Sequence, residues 1–153
     1  MTDEAANPYA GLRKLALATT RASLQADHSG SCYGVLMETG YPQGVATLVC
    51  FLSGECSLYF SNGGGTIGAG AHGSVAEAAK SFVQACDGFL SKMDRAADCP
   101  LPAEGHTIFY ALTDGGTYCH SALELDLGHR RSEFSELFYL GHAVITQIRL
   151  LPS

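Results

Sequence analysis

"CYGVLMETGYPQGVATLVCFLSGECSLYF" spans residues 32–60. Three apolar runs, 32–39, 45–52 and 56–60, are separated by the short turn segments "GYPQG" and "SGE". Connections this short join antiparallel neighbours, so the spacing predicts a three-stranded meander. The middle run, "VATLVCFL", is apolar at nearly every position. A half-exposed strand would alternate apolar and polar residues. This run does not, and it is expected to be wet on neither face and central in its sheet.

Upstream, Asn7 followed by Pro8 is a helix start: a capping side chain, then a ring already at helical φ. Tyr9, Leu12, Leu15, Ala16, Thr19 and Ala22 recur at helical spacing, with Arg13, Lys14 and Arg21 on other faces. These residues predict a helix over about 8–25. Residues 1–6 are expected to be a disordered N-terminus. Downstream, "SVAEAAKSFVQACDGFLSKM" (74–93) opens with a capping box, Ser74 and Glu77, and carries a long apolar stripe. Residues 94–105 form a crossing loop held extended by Pro100 and Pro102. "HTIFYALT" (106–113), "DGG" and "TYCHSALEL" (117–125) predict a hairpin. "DLGHRR" reads as a loop, after which Ser132 is expected to cap a last helix that Pro152 ends.

The expected fold is α+β: a five-stranded, mainly antiparallel sheet with three helices, in the order α-β-β-β-α-β-β-α, forming one domain over 7–153. The mix of a five-stranded meander with three helices is reminiscent of profilin-like and roadblock-type modules. Those place two strands before the middle helix and three after it, the reverse of the order here. The likeness is architectural and implies nothing about function.

Composition bounds the function. Hydrophobic residues make up 46% of the chain and charged residues 16%, with a formal charge of −6. An acidic chain without clustered Lys and Arg excludes a broad nucleic-acid face. An acidic membrane surface would repel it too, and no apolar run approaches the roughly 20 residues that span a bilayer. "MTDEAANPYA" lacks the basic start and apolar core of a secretory signal. The expected compartment is cytoplasmic, with the six cysteines as thiols. The low charge points to apolar surface shared with a partner, foremost a second copy.

The glycine-rich stretch "YFSNGGGTIGAGAHGS" (59–74) is the first candidate site. Gly63, Gly65 and Gly68 match G-x-G-x-x-G in form. The expected helix cap, Ser74, lies six residues beyond Gly68, and no G-K-[ST] follows, so a nucleotide fingerprint is excluded. What survives is a niche in which bare amides near a helix N-terminus meet an anion, with Gly64, Gly65, Gly68 and Ser74 as its residues. The second candidate is "GHRRSE" (128–133), where Arg130 and Arg131 could fork onto a phosphate or carboxylate. A composite site requires the two loops to meet. Cys119 could face His106 across the hairpin, but nothing supplies an oxyanion hole or an orienting group. The histidines show no metal-ligand spacing, so no metal, cofactor or catalytic residue is expected. The sequence therefore favours a non-catalytic cytoplasmic interaction module acting as a homodimer. The alternative is a binding protein or weak enzyme for a small phosphate- or carboxylate-bearing ligand at the 61–74 loop.

Overall fold

The computed structural model describes residues 7–24 and 30–152. The expected disordered segment 1–6 lies outside the described residues. Among them are four α-helices: α1 (Tyr9–Leu17), α2 (Gly73–Cys86), α3 (Glu124–Gly128) and α4 (Ser135–Arg149). The strands are β1 (Cys32–Tyr41), β2 (Gly44–Phe51), β3 (Cys56–Phe60), β4 (Gly65–Thr66), β5 (Asp94–Arg95), β6 (His106–Thr113) and β7 (Gly116–Leu123). They form a single sheet in the order β4-β3-β2-β1-β6-β7-β5, with every neighbouring pair antiparallel.

The α+β class and the antiparallel sheet are as expected, but the count of five strands and three helices is corrected to seven and four. The additional strands, β4 and β5, are two residues each and add to opposite edges of the sheet. Two residues are too few to carry a period-2 pattern, so only tertiary pairing defines them. The additional helix, α3, is five residues long and replaces the end of the strand expected over 117–125 and the start of the loop expected after it. The long helix expected over 74–93 is also interrupted. α-Helical geometry ends at Cys86 and gives way to a 3-10 segment over Asp87–Lys92. Here the Asp87 carboxylate accepts the amides of Ser31 and Cys32, each at 2.9 Å, which ties this end of the helix to the start of β1.

The sheet is covered on both faces. On one, α2 (Val75, Ala79, Phe82, Val83) and α4 (Leu137, Phe138, Val144, Ile148) pack on inward side chains of β1, β2, β3 and β6 to form the larger core. On the other, α1 (Tyr9, Ala16) covers Tyr33, Leu36, Val49, Tyr59, Tyr110 and Leu112. The β2 run expected to be central is buried on both faces, but β1 holds the middle position and is buried from Cys32 through Gly40. A register shift between Cys32 and Gly34 reverses which face successive β1 side chains address. Cys32 joins the larger core and Tyr33 the smaller, whereas further along Leu36 is on the α1 side and Val35 and Met37 are on the other.

Candidate functional site

The glycine-rich stretch forms an arm on the β3 edge. Its backbone is shaped by steric need. A Cβ on Gly65, whose φ is +141°, would come within 2.3 Å of the Leu58 carbonyl oxygen. One on Gly70 would come within 2.1 Å of the Gly54 oxygen. Only glycine lets the arm lie this close to the hairpin. Several of its amides are already engaged: Gly63 with the Phe60 carbonyl (3.0 Å), Gly68 with Ser57 Oγ (3.1 Å) and Ala71 with the Gly68 carbonyl (3.2 Å). The arm carries Ile67 at 64% exposure.

Ser74 does not cap α2. The helix begins at Gly73, its N-cap is His72, and no side chain bonds its first amides, so the expected capping box is absent. Gly73 and Ser74 are exposed.

Arg130 and Arg131 lie away from this arm. They follow β7, and the arm lies beyond β3, with β2, β1 and β6 between those strands. Four inter-strand spacings amount to about 19 Å. The arginines wrap the C-terminal end of α3, and Arg130 takes left-handed backbone with φ of 58°. Each already has an exposed carboxylate partner: Glu136 for Arg130 at 3.0 Å and Asp126 for Arg131 at 3.1 Å. Arg130 also lies over the Tyr139 ring. The two predicted segments are thus far apart and form no composite site.

The thiol and imidazole groups are likewise apart. Cys119 is the register partner of Tyr110, while His106 pairs with Leu123 at the far end of the hairpin, so the expected facing of Cys119 and His106 does not occur. Burial raises the Cys119 thiol above its ordinary value, with Asp94 and Asp98 adding to the shift. That is the opposite of an activated thiolate. His120 stacks on Phe134 at 3.7 Å between ring centres, and burial lowers its pKa. His142 packs beside Phe138 and is lowered by burial and by Arg149. Among the described residues, no group of three or more His, Cys, Asp or Glu side chains is placed to hold a metal ion. No helix among them is long and apolar enough to cross a membrane.

The most concentrated polar chemistry lies under α1, in residues that the sequence reading left out. Tyr9, Arg13 and Ala16, spaced i, i+4, i+7, face the sheet. Arg13 forks onto Glu38 of β1, Nε donating to Oε2 at 2.6 Å and Nη2 to Oε1 at 2.8 Å. Glu38 is fully buried and also accepts the Thr47 hydroxyl at 2.8 Å. Tyr9 bonds Thr47 at 2.6 Å. Arg13 Nη2 further donates to the Cys99 carbonyl at 2.8 Å, and Tyr110 donates to the Pro100 carbonyl, so the 96–104 loop is drawn onto the same face. Burial pushes the surrounding phenols up, Tyr59 to about 12. With both oxygens of Glu38 engaged and no water access, this network suits docking of a helix and offers no free acid or base. A sequence signal existed: Glu38 is an acid in the middle of a strand flanked by apolar strands, and such an acid demands a cationic partner.

With Arg13 turned inward, Leu15 and Ala18 face outward and Leu12 stays half-buried at the margin of the smaller core. Leu15, expected on the buried stripe, is 69% exposed. A groove of about 580 Å³ runs along Pro8, Leu12, Leu15 and Ala18. Leu12 also walls a pocket of about 200 Å³ that reaches Tyr59, Gly64, Gly65 and Ile67. The two glycines predicted for an anion niche thus line an apolar hollow with no cationic side chain. Comparison with known proteins returned no match to a family model, to a curated protein or to a solved structure.

Proposed function

We propose that this chain is a non-catalytic interaction module that self-associates through the outer face of α1 and the glycine arm. One observation carries the reading: Leu15 and Ile67 remain largely exposed on a surface joined by Leu12, although the sheet beneath is sealed. Exposed aliphatic side chains bordering two hollows that share Leu12 form the kind of patch that marks a contact surface or a ligand groove. A second copy is the occupant favoured by the small residues along the groove, Ala10, Gly11 and Ala18, which let another helix approach closely. Sedimentation velocity from low to high micromolar concentration tests this. A concentration-dependent dimer that Leu15→Glu or Ile67→Glu disperses is expected. A monomer at every concentration would remove the self-association.

A second reading retains a small phosphate- or carboxylate-bearing ligand. Its support is the start of α2, where Gly73 and Ser74 are exposed and the first amides have no side-chain cap. Arg130 and Arg131 would then act on a separate anion or on none. Titration with inorganic phosphate should shift the Gly73 and Ser74 amide resonances. Unmoved resonances at high phosphate would remove the reading.

A further inference from the structure

The buried cysteines are arranged by strand register. Cys50 on β2 and Cys56 on β3 are direct partners across the hairpin, both facing the larger core, with sulfurs 3.6 Å apart. The hairpin closes with Phe51 N–H on the Glu55 carbonyl (2.9 Å) and Gly54 N–H on the Phe51 carbonyl (2.9 Å). The next pair inward, Cys50 and Cys56, is therefore a non-hydrogen-bonded pair. At such positions the Cα atoms approach to about 4.5 Å, within the range a disulfide bridges.

We propose that Cys50 and Cys56 are a disulfide site that locks the β2–β3 hairpin. Bond formation shortens the sulfur separation by about 1.5 Å, a displacement two side chains can share. The oxidant is a low-molecular-weight disulfide such as glutathione disulfide. One cysteine, as thiolate, attacks a sulfur of that disulfide, forming a mixed disulfide and releasing one small thiolate. The other cysteine, as thiolate, attacks the protein-side sulfur of the mixed bond and releases the second. Two protein thiols are oxidised, one small disulfide is reduced to two thiols, and those carry the two protons away.

Both cysteines are buried, and burial raises the Cys50 thiol well above its ordinary value. The glycine arm also lies over the hairpin, Gly70 being placed against the backbone of Glu55 and Cys56. Exchange is accordingly slow in the folded chain and fast during folding, when only the five residues 51–55 separate the two cysteines. Cys32 and Cys86 are a different matter: the Cys32 thiol donates to the Gly34 carbonyl at 3.2 Å, and the two residues, on β1 and α2, belong to no common ladder.

The test is refolding in glutathione buffers of graded ratio, followed by acid quenching, alkylation and non-reducing digestion after glutamate. Cleavage after Glu55 separates the two cysteines, so the bridge appears as peptide 39–55 joined to peptide 56–77. The oxidised chain should also melt roughly 5 °C above the reduced one. Cys50→Ala with Cys56→Ala should lose both signals. Free, alkylated Cys50 and Cys56 in every buffer would overturn the proposal, as would their pairing with Cys32 or Cys86 instead. The wild-type peptide map decides even if the double variant does not fold.

Discussion

Arg13 occupies a sheet-facing position of α1 at which an aliphatic residue would satisfy packing, and its guanidinium is fixed by Glu38 and the Cys99 carbonyl. Removing one member of such a pair leaves an uncompensated buried charge, which costs far more than removing both. Arg13→Met alone should therefore lower stability by about 3–5 kcal/mol in urea denaturation, and Arg13→Met with Glu38→Met should recover most of that loss. A double variant as unstable as the single one would show that the pair does more than fix α1. Two histidines give a pH signature of definite sign. His120 and His142 are held below the ordinary histidine value of 6.5, chiefly by burial. The unfolded chain then binds protons that the folded one refuses, so their contribution is full above 6.5 and is lost as pH falls through the folded pKa values. Among the described residues His142 Nε2 is buried without a partner, so an apolar substitute loses no hydrogen bond to them. Stability of His142→Leu should fall less than that of the parent between neutral and mildly acidic pH, measured by denaturant melts at each pH. Parallel curves would count against His142 as a contributor.

At the level of elements, the glycine arm and the start of α2 contain glycines of opposite kinds. Gly65→Ala forces a Cβ against the Leu58 carbonyl at strained φ, and should cost more than about 1 kcal/mol while speeding hydrogen exchange across β3 and β4. Gly73 has ordinary backbone geometry and open space, so Gly73→Ala should stabilise the helix by about 0.4–1 kcal/mol. Equal effects in the two variants would refute the steric account of the arm. The same contrast explains what could be read without a structure. β1, β2, β3, β6 and β7 were legible because each is long enough to show an apolar run bounded by Gly, Pro or Asp turns. β4 and β5 were not, since a two-residue pairing has no pattern of its own. The end of α2 at Cys86 depends on Asp87 reaching residues 31 and 32, a contact between segments far apart in sequence. For the site, the residues under α1 were missed because Arg13 was placed on a face other than the apolar stripe. Tyr9, Arg13 and Ala16 fit a helical stripe as well as Tyr9, Leu12 and Ala16 do; Glu38 draws Arg13 onto the sheet, while Leu12 packs half-buried beside it.

For the whole molecule, charge and apolar surface act in opposite directions on self-association. The chain carries a formal charge of −6, so two copies repel at long range, while the contact proposed for them, around Leu12, Leu15 and Ile67, is mainly aliphatic, with Lys14 its one charged lining residue. A stable dimer of standard size buries about 800 Å² on each partner. One helix of nine residues, about 13 Å long, together with a short arm offers less than that. The expected dimer is therefore weak, with dissociation in the micromolar range. Added salt screens the repulsion beyond about 10 Å at 0.1 M and leaves apolar burial intact, so raising ionic strength should strengthen the dimer. Sedimentation equilibrium at low and high sodium chloride reads this directly. Ile67→Glu should weaken association at both salt levels by adding a desolvation cost at the contact. If salt instead dissolved the dimer, the contact would be ionic. Arg130, Arg131 and Lys92, with their exposed carboxylate partners, would then replace the α1 face as the surface to examine.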